Sequence, residues 1–98
     1  MLVRIVRMTF REDATDDFLK VFEGSKNKIR SFEGCNHLTL MQDYNKSNVF
    51  ITYSHWDHQS NLNDYRNSEL FKSVWKDTKA LFSDKPVAFS MKEYLKVP

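Results

Sequence analysis

The residues with the greatest chemical capacity in this chain are three histidines, one cysteine and a few arginines, set among many aromatic side chains. Two histidines flank a tryptophan in Ser54-His55-Trp56-Asp57-His58, and the third, His37, follows Cys35 by two positions. A neutral imidazole takes up a proton near pH 7, and imidazole with thiolate can hold zinc or copper. Spacing weighs against the metal. No His-x-x-x-His pair occurs on a helix pattern, so no metal is expected. Asp57 stands where a helix cap is needed, which leaves His58 in the first helical turn facing solvent. His55 is different. In a hairpin centred near Lys46 it lies across from His37 on one sheet face, with Cys35 diagonal to it. A register slip of one residue removes that pairing, and satisfied polar residues on a sheet face are the plainer reading.

A chain of 98 residues has room for one domain, spanning 1–98, with a modest core. One cysteine excludes an intrachain disulfide and suits a reducing compartment. The opening "MLVRIVRMTF" is too regularly interrupted by arginine for a signal peptide. No apolar run approaches the ~20 residues needed to span a bilayer. A cytoplasmic protein without membrane association is expected. Basic residues number 15 against 13 acidic, and this net +2 is too weak and too scattered for nucleic acid. Aromatics make up 14% of the chain, with eight phenylalanines, so large rings must fill a core, a pocket or an interface.

Residues 2–10 alternate as a strand with apolar residues on both faces, interrupted by Arg4 on one and Arg7 on the other. Asp13 is placed to cap a helix, with Asp16 and Asp17 in its first turn. Phe18, Leu19, Phe22, Ile29 and Phe32 recur at helical spacing, and Gly34 is a good stop. "NHLTLMQDYNKSNVFITYSHW" reads as two strands around a turn at Asp43–Asn48. A short helix over His58–Arg66 follows. A second begins at a cap on Asn67 or Ser68, and its stripe of Leu70, Phe71, Val74, Trp75, Thr78, Leu81 and Phe82 is the clearest helical signal in the chain. Pro86 ends that stripe, and "VAFSMKEYLKV" reads as a last strand. The order βαββαβ predicts a ferredoxin-like α+β sandwich, a four-stranded antiparallel sheet with helices on one face. The other sheet face carries apolar residues too, so a partner chain or a ligand must cover it.

The segment "SHWDHQSNLNDYRNSELFKSVWKDTKALF" resembles the strand–Trp–helix–helix stretch of the antibiotic biosynthesis monooxygenase domain. The similarity runs from "MLVRIVRMTF" through "IRSFEGCNHLTLMQD" to the final strand. This resemblance implies a dimeric α+β barrel, two sheets meeting face to face in a homodimer, with a pocket in each subunit between sheet and helices. Its members include cofactor-independent oxygenases of polyphenols and quinols, and heme-degrading oxygenases. In the heme-degrading members an Asn, a Trp and an axial His occupy the positions held here by Val6, Tyr65 and Trp75. None is retained in type, and Trp75 cannot ligate iron, so heme degradation of that kind is not expected.

The resulting expectation is a cofactor-independent monooxygenase oxidising a small quinol-like or polyphenol-like aromatic molecule with oxygen. Such a protein desolvates a phenol, helps remove its proton and lets the electron-rich anion meet oxygen. His55 and His37 are the candidate bases, and Arg4 a candidate for stabilising a phenolate. Tyr65, Phe71, Trp75 and Val6 are the candidate walls. The competing assignments are core packing for the aromatics and structural roles for Arg4 and the histidines. A non-catalytic dimeric ligand-binding or stress-response module is the alternative function.

Overall fold

The computed structural model describes residues 1–98. The alternating segments form strands β1 (Leu2–Thr9), β2 (Cys35–Gln42), β3 (Val49–Trp56) and β4 (Val87–Met91). All neighbours are antiparallel, in the order β2-β3-β1-β4. The β2–β3 turn lacks an Asn-Gly pair and is closed by Asp43, whose Oδ1 accepts from the backbone N–H of Asn45 at 2.9 Å and of Lys46 at 3.0 Å. Helices α1 (Thr15–Arg30), α2 (Gln59–Arg66) and α3 (Glu69–Lys79) complete the expected ferredoxin-like α+β sandwich.

The helix boundaries follow local chemistry, in places not the expected one. Ser68 caps α3 by accepting from the Phe71 N–H at 3.1 Å, and its hydroxyl donates back to the Tyr65 carbonyl at 2.6 Å. One side chain thus closes α2 and opens α3, and the turn brings Tyr65 and Phe71 edge to face at 5.2 Å. Asp13 does not cap α1. It lies in a single 3₁₀ turn, Glu12–Ala14, and pairs with Arg11 at 3.6 Å. Asp57 does not cap α2 either. Its Oδ1 accepts from the Asn36 side chain at 2.7 Å, and exposed His58 occupies the cap position without a side-chain bond. Helix α3 ends at Lys79, short of Pro86, because Phe82 leaves the helix to bridge with Phe10. The final strand stops at Met91, leaving the tail beyond it exposed.

Gly34 adopts φ +87°, the left-handed region that glycine enters without strain. A Cβ there would come within 2.3–2.7 Å of the Asn61 side chain. The position therefore sets both the entry to β2 and the closest approach of α2.

Register decides which side chains face the helices. Leu2, Arg4, Val6 and Met8 of β1 share a face with Phe50, Thr52, Ser54 and Trp56 of β3, and the three helices pack on that face. Two buried clusters hold it. Met8, Phe10, Phe18 and Phe50 form one, with Phe82 and Leu81 against it, and Cys35, Trp56 and Leu62 the other, with Phe32 and Tyr65. The opposite face carries Val3, Ile5, Ile51, Tyr53, His55 and His37, and the exposed Val87, Phe89 and Met91 of β4. No helix is long and apolar enough to cross a membrane.

Candidate functional site

Between the sheet and the helices lies a cavity of about 220 Å³. Its roof is aromatic: Tyr65 from α2, then Phe71 and Trp75 from α3, one helical turn apart and stacked at 5.8 Å with 13° between planes. Its floor is the sheet, where small or polar residues stand side by side. Thr52 pairs with Val6, which pairs with Ala88; Ser54 pairs with Arg4, which pairs with Ser90. Phe18, Phe22 and Ile29 of α1 close one flank. The rim is open at Arg66 and Ala88, both exposed.

Five residues expected at a site meet here: Arg4, Val6, Tyr65, Phe71 and Trp75 all line the cavity. Two do not. His37 and His55 pair in register on the helix-free face, their rings 4.7 Å apart. Alternation is the cause: Ser54 and Trp56 point toward the helices, so His55 between them points away. The two imidazoles, the candidate bases of the sequence, therefore do not line the cavity that Trp75 and Arg4 share. Cys35 is also displaced from the histidines. An irregularity between Cys35 and His37 turns the thiol into the core against Trp56 and Leu62, and burial pushes its pKa up. No three of the His, Cys, Asp and Glu side chains converge in a way that could hold a metal ion.

The polar groups of the cavity are few. Ser54 accepts from the Trp56 indole N–H at 3.0 Å, and Thr78 is occupied with the Val74 carbonyl at 2.7 Å. Burial, and then the Cys35 thiol, push the Tyr65 phenol well above its ordinary value, so its hydroxyl stays a neutral donor. Arg4 is half-buried, and burial followed by the charge of Arg66 lowers its pKa. Its Nη1 donates to the Ser90 hydroxyl at 3.1 Å; no carboxylate pairs with it. Neither carboxylate nor imidazole lines the cavity.

Arg66 is the one charged cavity residue that sequence reasoning missed; the small floor residues Thr52, Ser54 and Ala88 were missed with it. On a helix pattern Arg66 looks like a cation placed to suit the C-terminal dipole.

The surroundings of the site can be compared with known proteins. No curated protein matches the sequence significantly. Among solved structures, an antibiotic biosynthesis monooxygenase superposes with a TM-score of 0.91 at 19% identity, covering 97% of this chain and 100% of the other. A conserved protein from Methanosarcina mazei Go1 gives 0.89 at 13% identity, over 96% of this chain and 94% of its own. Rv0793 from Mycobacterium tuberculosis gives 0.88 at 13%, over 99% and 98%. At such identities these likenesses establish the shared fold. The family itself is established by sequence: the pattern of the antibiotic biosynthesis monooxygenase family matches residues 1–80, and the chain belongs to that family.

Proposed function

We propose that the protein is a cofactor-independent monooxygenase acting on a small quinol-like or phenolic aromatic molecule bound between the sheet and the helices. The observation that carries this reading is the cavity itself, an aromatic-roofed space with guanidinium charge on one wall. Engineered apolar cavities of ~150 Å³ take up benzene, so about 220 Å³ suits one or two fused rings and not a larger polycycle. Phe71 and Trp75 stack on the rings, Tyr65 donates a hydrogen bond, and Val6 fills the floor.

The chemistry this arrangement supports is electrostatic. With no carboxylate or imidazole in the wall, the proton leaves a phenol acidified by Arg4 and Arg66 and escapes to solvent at the rim. The electron-rich anion then reacts with oxygen directly. At a ring C–H ortho or para to the phenolate oxygen, one oxygen atom becomes a quinone carbonyl and the other leaves as water, formed with that hydrogen and the phenolic proton. The substrate supplies all the electrons, so no external reductant enters the balance. Water exclusion by the aromatic roof protects the anion from reprotonation.

A second copy of this chain covers the helix-free face in this reading. Exposure of Phe89 at 45%, Met91 at 44% and Val87 at 49%, beside Ile5 and Tyr53, leaves an apolar sheet that water wets poorly. His37 and His55 then belong to the contact between copies. Light scattering at micromolar concentration should give a dimer mass; a stable monomer would remove this part of the proposal.

Oxygen uptake by chelator-treated protein, measured over a panel of one- and two-ring quinols and phenols, tests the activity. Uptake above the autoxidation rate, with one oxygen molecule per product, is expected. Tight binding of the panel with no uptake would favour a non-catalytic small-molecule-binding module instead.

A further inference from the structure

The two guanidiniums of the cavity carry information about the ligand's charge; this step rests on the aromatic-binding reading above. The ion pairs of the protein are Arg11–Asp13, Lys26–Glu23 and Lys72–Glu69, all at the surface and away from the cavity. Arg4 and Arg66 have none. Along the sheet Arg4 is flanked by Ser54 and Ser90, so no adjoining strand position supplies an acid. Arg4 is nevertheless half-buried, and Arg66, on the lining of the same cavity, lies close enough for its charge to oppose that of Arg4. Holding two like charges at a mostly apolar wall is unfavourable, and a bound anion offsets it.

We infer that the ligand is an aromatic carboxylate whose ring also carries the phenol, with its rings against Tyr65, Phe71 and Trp75 and its carboxylate beside the phenolic oxygen between Arg4 and Arg66. A guanidinium fork matches a carboxylate in a planar, two-bond geometry, which also aligns the attached ring with a flat wall. The volume agrees: about 220 Å³ holds one or two rings and one such group. A neutral quinol would fill the same space and leave both guanidiniums uncompensated.

The test compares 2-naphthoate with its neutral counterpart 2-naphthamide by calorimetry near pH 7, where the carboxylate is ionised. Wild-type protein, Arg4→Gln and Arg66→Gln are titrated with each, and folding is checked by circular dichroism. The readout is the ratio of the two affinities. The wild type should prefer naphthoate by about tenfold or more, and the preference should weaken as salt rises. In each variant the ratio should drop several-fold. Equal binding of the two compounds by the wild type would overturn the charge inference while leaving the aromatic-binding reading standing. Failure of both compounds and of neutral naphthohydroquinone to bind would overturn both. An undiminished ratio in both folded variants would also overturn the inference. Should Arg4→Gln fail to fold, the exposed Arg66→Gln decides alone, and an unchanged ratio there counts against it.

Discussion

The helix-covered side of the sheet is solid at one end and hollow at the other, although both ends are roofed by aromatic rings. At the solid end Phe10 is fully buried, stacked on Phe18 at 4.2 Å and within 5.3 Å of Phe82. At the hollow end Phe71, Trp75 and Tyr65 stand over open space. The floors differ. Met8 and Phe50 rise from the strands beneath Phe18, whereas Thr52, Ser54 and Ala88 lie beneath Trp75. A pocket in this fold is thus made by small residues in the sheet, and the aromatic content of the helices alone does not distinguish it from core.

Substitutions at the two ends should separate stability from binding. Phe10→Ala removes a ring from the packed end and should cost ~3–5 kcal/mol of stability, read from a denaturant midpoint, while the folded fraction keeps its ligand affinity. Gly34→Ala should cost roughly 1–3 kcal/mol, because a left-handed φ must hold a side chain that collides with Asn61. It should also weaken ligand binding, since the clash displaces α2, which carries Tyr65 and Arg66. Trp75→Phe should cost less than about 1 kcal/mol, because the lost volume opens into existing space, and should weaken binding of an aromatic ligand measurably. A large midpoint loss with unchanged binding would show that Trp75 belongs to the solid end.

Much of this was legible in the sequence. Periodicity carried the element order, narrowed the α3 cap to Asn67 or Ser68 and put His37 across from His55; the family resemblance picked out Val6, Tyr65 and Trp75, and the chemistry expected of a phenol pocket added Arg4 and Phe71. The choice of sheet face was not legible. Val3 and Ile5 are as apolar as Leu2 and Val6, so alternation could not say which set the helices cover, nor which of the candidate histidines and arginines faces the cavity. The irregularity between Cys35 and His37 falls at Asn36, and the adjoining Gly34 reads in sequence only as the stop of the preceding helix. Asp13 and Asp57 had the chemistry of caps, but a neighbour in sequence, Arg11, and a distant one, Asn36, took their carboxylates. Arg66 became a site residue only when the fold carried it to the cavity.

The helix-free face offers the smallest effect. Burial of His55, and then the neighbouring charge of His37, lower its pKa from 6.5. Tyr53, at 5.0 Å, supplies no compensating anion. Below 6.5 the unfolded chain takes up the proton more readily than the folded one, so stability falls as pH drops through 6.5 and levels off below the folded-state value. Midpoints measured between about pH 7 and pH 5 should therefore decline more steeply for the wild type than for His55→Gln. A steeper decline in the variant would mean that His55 gains a stabilising partner on protonation.

The ligand is proposed to lie between sheet and helices, under Trp75, and away from the paired histidines. Titration of nitrogen-15-labelled protein with a two-ring aromatic ligand, followed by NMR, tests that placement directly. A saturable shift of the Trp75 indole N–H signal is expected, with the imidazole signals of His37 and His55 unmoved. Saturable shifts of the two imidazoles with an unmoved Trp75 indole would contradict it.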